Sequence, residues 1–250
     1  MTSPHSNVAI LRLQLESQLV GEEDMIPVCS YPPLDAVYST FGVLLGGLGG
    51  QVLKVYCEIS PRHASTVILR HGAKKDFNLS WDKYVKGHIY SNYNYWAGLD
   101  TIHALTKAGY NTLTFEVVYN YPTFTSQSIL YKDFHVGDSS TDYTLTVGQP
   151  NQGKGGVFFD DYGAVLGDCL SPANGARFST KDADHDLEPE NCAALAGSGW
   201  WFKDCNFVCN PFGRLPGSGS ETLSLPGLNF THSDYVDRFA SVQMYFYDSV

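Results

Sequence analysis

Apolar and polar residues alternate in short runs along the first half of this chain, and the pattern dissolves beyond residue 150. Val37-Tyr38-Ser39-Thr40-Phe41 and Val52-Leu53-Lys54-Val55-Tyr56-Cys57 are rich in β-branched and aromatic residues, which predicts two strands. Gly46-Gly47-Leu48-Gly49-Gly50 between them predicts a turn, so the pair reads as a hairpin. Thr66–Arg70, Thr112–Val118, Lys132–Val136 and Tyr143–Val147 are further predicted strands, and Asp100–Thr106 is a short predicted helix with Asp100 as its N-cap. Residues 7–20 carry Val8, Leu11, Leu15 and Leu19 near helical spacing. Two readings stand side by side: the end of a coiled-coil stalk, or a short amphipathic helix packed on the domain. Gly21 to Pro27 reads as a hinge, dividing the chain into an extension, residues 1–26, and a domain, residues 27–250. Long irregular stretches rich in Gly, Pro, Asn and Asp, as found after residue 150, are usually functional or held by metal and disulfide.

At 250 residues there is room for a sizeable core in one large domain or two small ones. A formal net charge of −10 leaves no basic stripe for a phosphate backbone, which argues against a nucleic-acid partner. No apolar run reaches bilayer length, so no membrane span is expected. The eight histidines are dispersed and signal no Ser-His-Asp or Cys-His arrangement; the chain is not read as an enzyme. His103 in its short helix reads as a hydrogen-bonded structural residue.

Six cysteines stand at 29, 57, 169, 192, 205 and 209. Their spacing is poor for zinc and better for a disulfide framework, which implies an oxidising, extracellular compartment. Two glycosylation sequons agree weakly, Asn78-Leu79-Ser80 and Asn229-Phe230-Thr231. Arg12 and Glu16 interrupt the apolar part of the first twenty residues, so no leader peptide is read there and the start is taken as an internal or engineered boundary.

The densest chemistry lies between Ser179 and Cys205. Asp182, Asp184 and Asp186 alternate in an irregular segment, followed by Glu188, Glu190, Cys192, Trp200 and Trp201. Alternating carboxylates offer hard oxygen ligands suited to calcium; the same run is also an ordinary solvated acidic turn.

Several ordered features together resemble the fibrinogen-related domain. Cys29 to Cys57, enclosing Asp35-Ala36-Val37-Tyr38, is similar to the family's opening hairpin. Trp81-Asp82-Lys83-Tyr84, Tyr95-Trp96-Ala97-Gly98, the helix from Asp100 to Thr106, and Phe134 to Gly148 follow in the family's order, and Phe178 to Cys205 resembles its calcium and cysteine loops. The resemblance runs from Cys29 to about Tyr247. It implies an α+β fold: a small N-terminal hairpin unit, a central, mostly antiparallel sheet with short helices, and a loop-rich, calcium-binding C-terminal part.

The resemblance also implies site residues. Calcium ligands fall eight and six residues before the first cysteine of the short loop, at Asp184 and Asp186, and backbone carbonyls four and two before it, at Glu188 and Glu190. Asp182 then reads as an acceptor for loop amides, and His185 as solvent-facing. Disulfides Cys29–Cys57 and Cys192–Cys205 follow family spacing, the second worth about 3 kcal/mol by loop closure. The family's cis peptide before its second loop cysteine would here join Asp204 to Cys205. Cys169 and Cys209 are additions to the pattern; a third disulfide, an interchain bond and free thiols all stay open.

Family members that bind acetyl groups carry an aromatic residue four after the first loop cysteine and a histidine after the second. Here Ala196 and Asn206 occupy those positions. A methyl-sized pocket is therefore not evident, and the ligand surface is expected around Asp204, Cys205 and Asn206, bordered by Trp201, Phe202 and Phe207. Two functions are carried forward. One is a secreted, calcium-dependent lectin of the innate-immune, pattern-recognition type that binds glycans or other surface ligands. The other is a protein-binding module of a receptor ligand or matrix protein. Self-association through the N-terminal segment is a further expectation.

Overall fold

A computed structural model describes residues 29, 38–45, 52–60, 63–72, 75–91, 93–119, 125–151, 166–214, 222–225 and 239–248. The expected helix or stalk at 7–20, the hinge, the glycine-rich turn at 46–50 and the boundary at residue 26 lie outside them. In chain order the elements are β1 (Tyr38–Leu45), β2 (Val52–Ser60), β3 (His63–His71), α1 (Trp81–Lys86), β4 (His88–Ser91), β5 (Asn94–Trp96) and α2 (Leu99–Lys107). These are followed by β6 (Leu113–Tyr119), β7 (Thr125–Tyr131), β8 (His135–Val136), β9 (Leu145–Thr146), β10 (Pro150–Asn151), α3 (Cys192–Ala196) and β11 (Phe239–Asp248). The fold is α+β, and every strand pair among the described residues is antiparallel.

The main sheet runs β1-β2-β3-β11-β6-β7-β10, with β5 pairing to β3 and β4 to β5. The N-terminal hairpin is thus continuous with the central sheet through β2 and β3. The last strand, β11, lies at the sheet's centre between β3 and β6. Val242, Met244 and Phe246 are fully enclosed, and so are Val67, Ile68 and Leu69 of β3. Along β11 these apolar residues alternate with Ser241, Gln243 and Tyr245, which are also buried. β11 is not among the strands expected from the sequence, although its two-residue period from Ser241 to Phe246 is a strand pattern.

Three expected elements shift. The second helix begins at Leu99 with Gly98 as its cap, and Asp100 lies in the first turn, where its carboxylate accepts the Tyr143 hydroxyl at 2.6 Å. Gly98 is obligatory there: its φ is 96°, and a Cβ would stand 2.5 Å from the Gly87 amide nitrogen. The strand expected at 132–136 shrinks to two residues because Asp133 turns into the left-handed region (φ 53°). Positive φ at Asp142 and Tyr143 likewise trims the next one to Leu145–Thr146.

Between residues 166 and 214 regular elements are few and short, and aromatic packing ties the loops to the sheet. Phe178 packs its ring against Tyr84 (5.1 Å, tilted), Trp96 (6.1 Å, stacked) and Trp201 (5.0 Å, edge-on), while Phe212 meets Phe77 at 4.6 Å and Trp96 at 5.2 Å. These aromatic pairs join α1 and β5 to the C-terminal loops. Gly199 fits because it lacks a side chain: a Cβ there would come within 2.7 Å of Tyr84 and 2.8 Å of Phe178.

His71, fully buried at the end of β3, stitches the same seam. Its Nδ1 faces the Pro211 carbonyl at 2.9 Å and its Nε2 the Lys75 carbonyl at 3.2 Å. Burial pushes its pKa below the ordinary 6.5 despite these acceptors and nearby Asp76. The unfolded chain therefore takes up a proton that the folded chain resists, and this contribution to stability is lost as pH falls through about 6.5. Melting temperatures compared at about pH 7.5 and 5.5 should fall less in His71→Asn than in the parent; equal slopes would clear His71 of the effect.

Candidate ligand and cation site

The acidic loop is built by local hydrogen bonds. Asp182 accepts the Thr180 hydroxyl at 2.8 Å and the Trp81 backbone amide at 2.9 Å. Trp81 is the first residue of α1, so Asp182 caps a helix from a hundred residues away, where Ser80 makes no cap bond. Asp186, half-buried, accepts the Glu188 amide at 2.9 Å and the Cys192 amide at 3.0 Å. Asp184 is exposed, and the Asp186 amide reaches its carboxylate at 3.4 Å. Desolvation first, then the charge of Asp186, hold the Asp184 carboxyl above the usual carboxylate range. Two like charges this close favour either a proton or a cation between them.

Glu188 and Glu190 are exposed, and with Pro189 and Cys205 they line a shallow cleft. The Glu190 carbonyl oxygen lies 3.7 Å from Cys205 Sγ. No group of three or more His, Cys, Asp or Glu side chains converges among the described residues. A cation here would thus have two carboxylates, with backbone carbonyls and water completing its shell, a donor set that suits a hard ion such as calcium.

His185 does not face solvent as expected. It is half-buried, with Nδ1 2.7 Å from the Phe178 carbonyl, its ring edge-on to Trp81 at 4.9 Å, and Nε2 3.6 Å from Asp142. An alternating loop pattern does not reveal this, because the partners come from α1 and from the turn after β8. His103, by contrast, bonds the Val136 carbonyl through Nδ1 at 2.8 Å.

The structure pairs Cys29 with Cys57, Cys192 with Cys205, and Cys169 with Cys209, at Cα separations of 5.6, 5.0 and 5.2 Å. The Cys192–Cys205 loop begins as α3, capped by the Asn191 side chain on the Ala194 amide at 2.8 Å and ended by Gly197 at φ 67°. Asp204 makes a tight turn by accepting the Asn206 amide at 3.0 Å, and Phe207 sits at φ 49°.

Of the residues expected to border a ligand, Asp204 and Asn206 are exposed, and Cys205 and Phe207 half-buried. Trp201 and Phe202 are corrected to core residues: they are 1% and 4% exposed, and the Trp201 indole donates to the Tyr143 carbonyl at 2.8 Å. Phe202 packs its ring on Phe207 at 5.7 Å. Ala196 is wholly enclosed in α3, so the position of the acetyl pocket's aromatic residue offers no surface. The sequence reading missed Leu187, Leu195 and Val208, which are exposed on this same stretch. No periodicity marks them; only their place inside or beside the cysteine loop could have.

The chain is 29% identical over 206 residues to tenascin-R of Gallus gallus, a match covering 79% of this chain and 13% of that protein. The chain therefore spans only about an eighth of the length of the tenascins it matches. The fibrinogen-like globe domain of human ANGPTL2 superposes with a TM-score of 0.62 at 23% identity, over 84% of this chain and 93% of that one. Lamprey fibrin D-dimer, complexed with the peptide ligand Gly-His-Arg-Pro-amide, superposes with a TM-score of 0.61 at 22% identity, over 84% and 69%. The family model of the fibrinogen beta and gamma chains, C-terminal globular domain, matches residues 39–237, and the chain belongs to that family.

Proposed function

We propose that this chain is a secreted recognition module that binds a protein partner through the Cys192–Cys205 face, with calcium holding the neighbouring loop. The observation that carries this reading is the apolar exposure there: Leu187 is 81% exposed, Val208 53% and Leu195 50%. Single exposed apolar residues are ordinary; here Leu195 lies inside the Cys192–Cys205 loop, Leu187 just before it and Val208 just after it, with exposed Glu190, Asp204 and Asn206 between them in the chain, a composition that suits an interface. The peptide held by lamprey fibrin, and the three disulfides, which suit an oxidising compartment, support it.

The test is binding of the labelled domain to intact cells. Binding should disappear after mild proteolysis of the cells, persist after their deglycosylation, and weaken at least about tenfold in Val208→Asp. Loss on deglycosylation would favour the second reading, a lectin, which the exposed polar pair Asp204 and Asn206 beside half-buried Phe207 keeps in view. With Ala196 enclosed, N-acetylglucosamine should bind poorly in either case.

Calcium would be held by the carboxylates of Asp184 and Asp186 and the carbonyls of Glu188 and Glu190, and would supply the charge that relieves the carboxylate pair. Calcium at a hundredfold excess over its Kd should stabilise the fold by about 2.7 kcal/mol. Asp184→Asn should remove that increment and leave the chelated protein almost unchanged, since Asp184 holds one long bond. Asp186→Ala should also destabilise the chelated protein by about 1–2 kcal/mol, because it strips the acceptor from two amides. Melting curves with calcium and with chelator decide; coincident curves would sink the metal site.

A further inference from the structure

We propose that Asn78 carries an N-linked glycan whose first sugars lie over the aromatic hairpin β4–β5. Asn78 belongs to the sequence Phe77-Asn78-Leu79-Ser80 just before α1, at the centre of a tight turn in which the Leu79 amide donates to the Phe77 carbonyl at 2.7 Å. Phe77 and Leu79 are buried, 1% and 5% exposed, whereas Asn78 and Ser80 are half-buried. The backbone is pinned at this point: the Asn78 amide donates to Asp76 at 2.8 Å, and its carbonyl accepts from Lys181 at 2.8 Å. The side chains are not used. The Asn78 carboxamide makes no hydrogen bond to any described residue, and its Oδ1 is buried without a partner. Ser80 is the N-cap of α1 but makes no cap bond, because Asp182 caps Trp81 in its place. The two residues that define a glycosylation acceptor are therefore the two released from structural duty, in a chain whose disulfides suit the secretory route.

A second observation points to what the sugars cover. Ile89, Tyr90 and Tyr93 are 42%, 41% and 68% exposed on one short hairpin. Tyr90 adjoins the acceptor: its hydroxyl donates to the Asp76 carbonyl at 3.0 Å and its ring meets Phe77 at 5.6 Å. Sugar rings present C–H faces that pack on aromatic side chains, and a glycan rooted at Asn78 would shield this patch from water. Transfer forms a bond from Nδ2 to the anomeric carbon of a lipid-pyrophosphate-linked oligosaccharide. The anomeric C–O bond breaks, the pyrophosphate leaves with its electron pair, and one amide proton is released.

The test is peptide mapping of the chain secreted from eukaryotic cells, digested with peptide-N-glycosidase in heavy-oxygen water. The peptide holding Asn78 should appear as labelled aspartate, and Ser80→Ala should abolish the label while Ser80→Thr keeps it. Recovery of that peptide as unmodified asparagine overturns the proposal, whatever the state of Asn229. Hydroxyl-radical labelling of Tyr90 should rise at least about twofold after enzymatic removal of the glycan; unchanged labelling overturns the shielding. Neither readout depends on the partner-binding face.

Discussion

Phe178→Ala is expected to lower stability by about 4 kcal/mol, the largest effect of any single substitution considered. The ring is fully enclosed between Tyr84, Trp96 and Trp201, and also lies 6.4 Å from Trp81. Truncation removes it from the seam that binds the loop-rich C-terminal part to α1 and β5. The same residue anchors the acidic loop through its backbone: its amide donates to Asp142 at 2.9 Å and its carbonyl faces His185. In a chain of this size each kcal/mol shifts the melting temperature by about 2–4 °C, so a drop of about ten degrees is expected by circular dichroism. Phe178→Leu, which refills part of the space, should lose less than half as much. An alanine variant that melts within two or three degrees of the parent would show that the seam is held elsewhere.

Arg70→Ala should destabilise by about 3 kcal/mol. Arg70 is 8% exposed on β3, at the middle of a polar row that crosses four strands. Its guanidinium pairs with Glu58 of β2 and donates to Gln243 of β11 from Nε (3.0 Å) and from a terminal nitrogen (2.6 Å). Gln243 in turn donates to Glu116 of β6 at 2.6 Å. Removing the guanidinium leaves a carboxylate and an amide oxygen without this donor in a confined space, which is worse than never having had the pair. Arg70→Lys should recover only part of the loss, because an ammonium cannot make the forked contact. A double-mutant cycle with Glu58→Gln, read by urea denaturation, should show non-additivity of at least about 0.5 kcal/mol. Full additivity would mean that Arg70 acts through its packing over the Tyr56 ring, 5.4 Å away, and not through the charge.

Much of the sheet was legible because its strands obey local rules. β1, β2, β3 and β6 fall on runs whose β-branched and aromatic residues alternate or cluster; the first three run well past the expected bounds, and β6 is displaced by one residue. α1 was not expected as a helix, since six residues give too little periodicity. β7, Thr125-Ser126-Gln127-Ser128-Ile129-Leu130-Tyr131, is polar over its first half and becomes a strand through its pairing with β6. The order of Trp81, Tyr95, Trp96, Phe134 and the cysteine loop carried the family resemblance, because such a set of spaced residues is specific even where each element is weak.

The sequence by itself determined the family, the α+β class and the presence of an acidic, cysteine-bracketed loop, since these rest on residue types and their spacing along the chain. Tertiary structure decided which side chains of that loop face outward. Trp201 turns into the core because Trp96 of β5 and Phe178 meet its ring there and the Tyr143 carbonyl accepts its indole N–H, while Phe202 packs on Phe207. His185 is held by Trp81 and Asp142, and Asp182 caps a helix remote in sequence. The partner of Cys169 was settled the same way, by loops brought to a Cα separation of 5.2 Å across forty residues of chain. Burial and hydrogen bonding between distant segments depend on how the chain returns to itself, and local pattern does not encode that return.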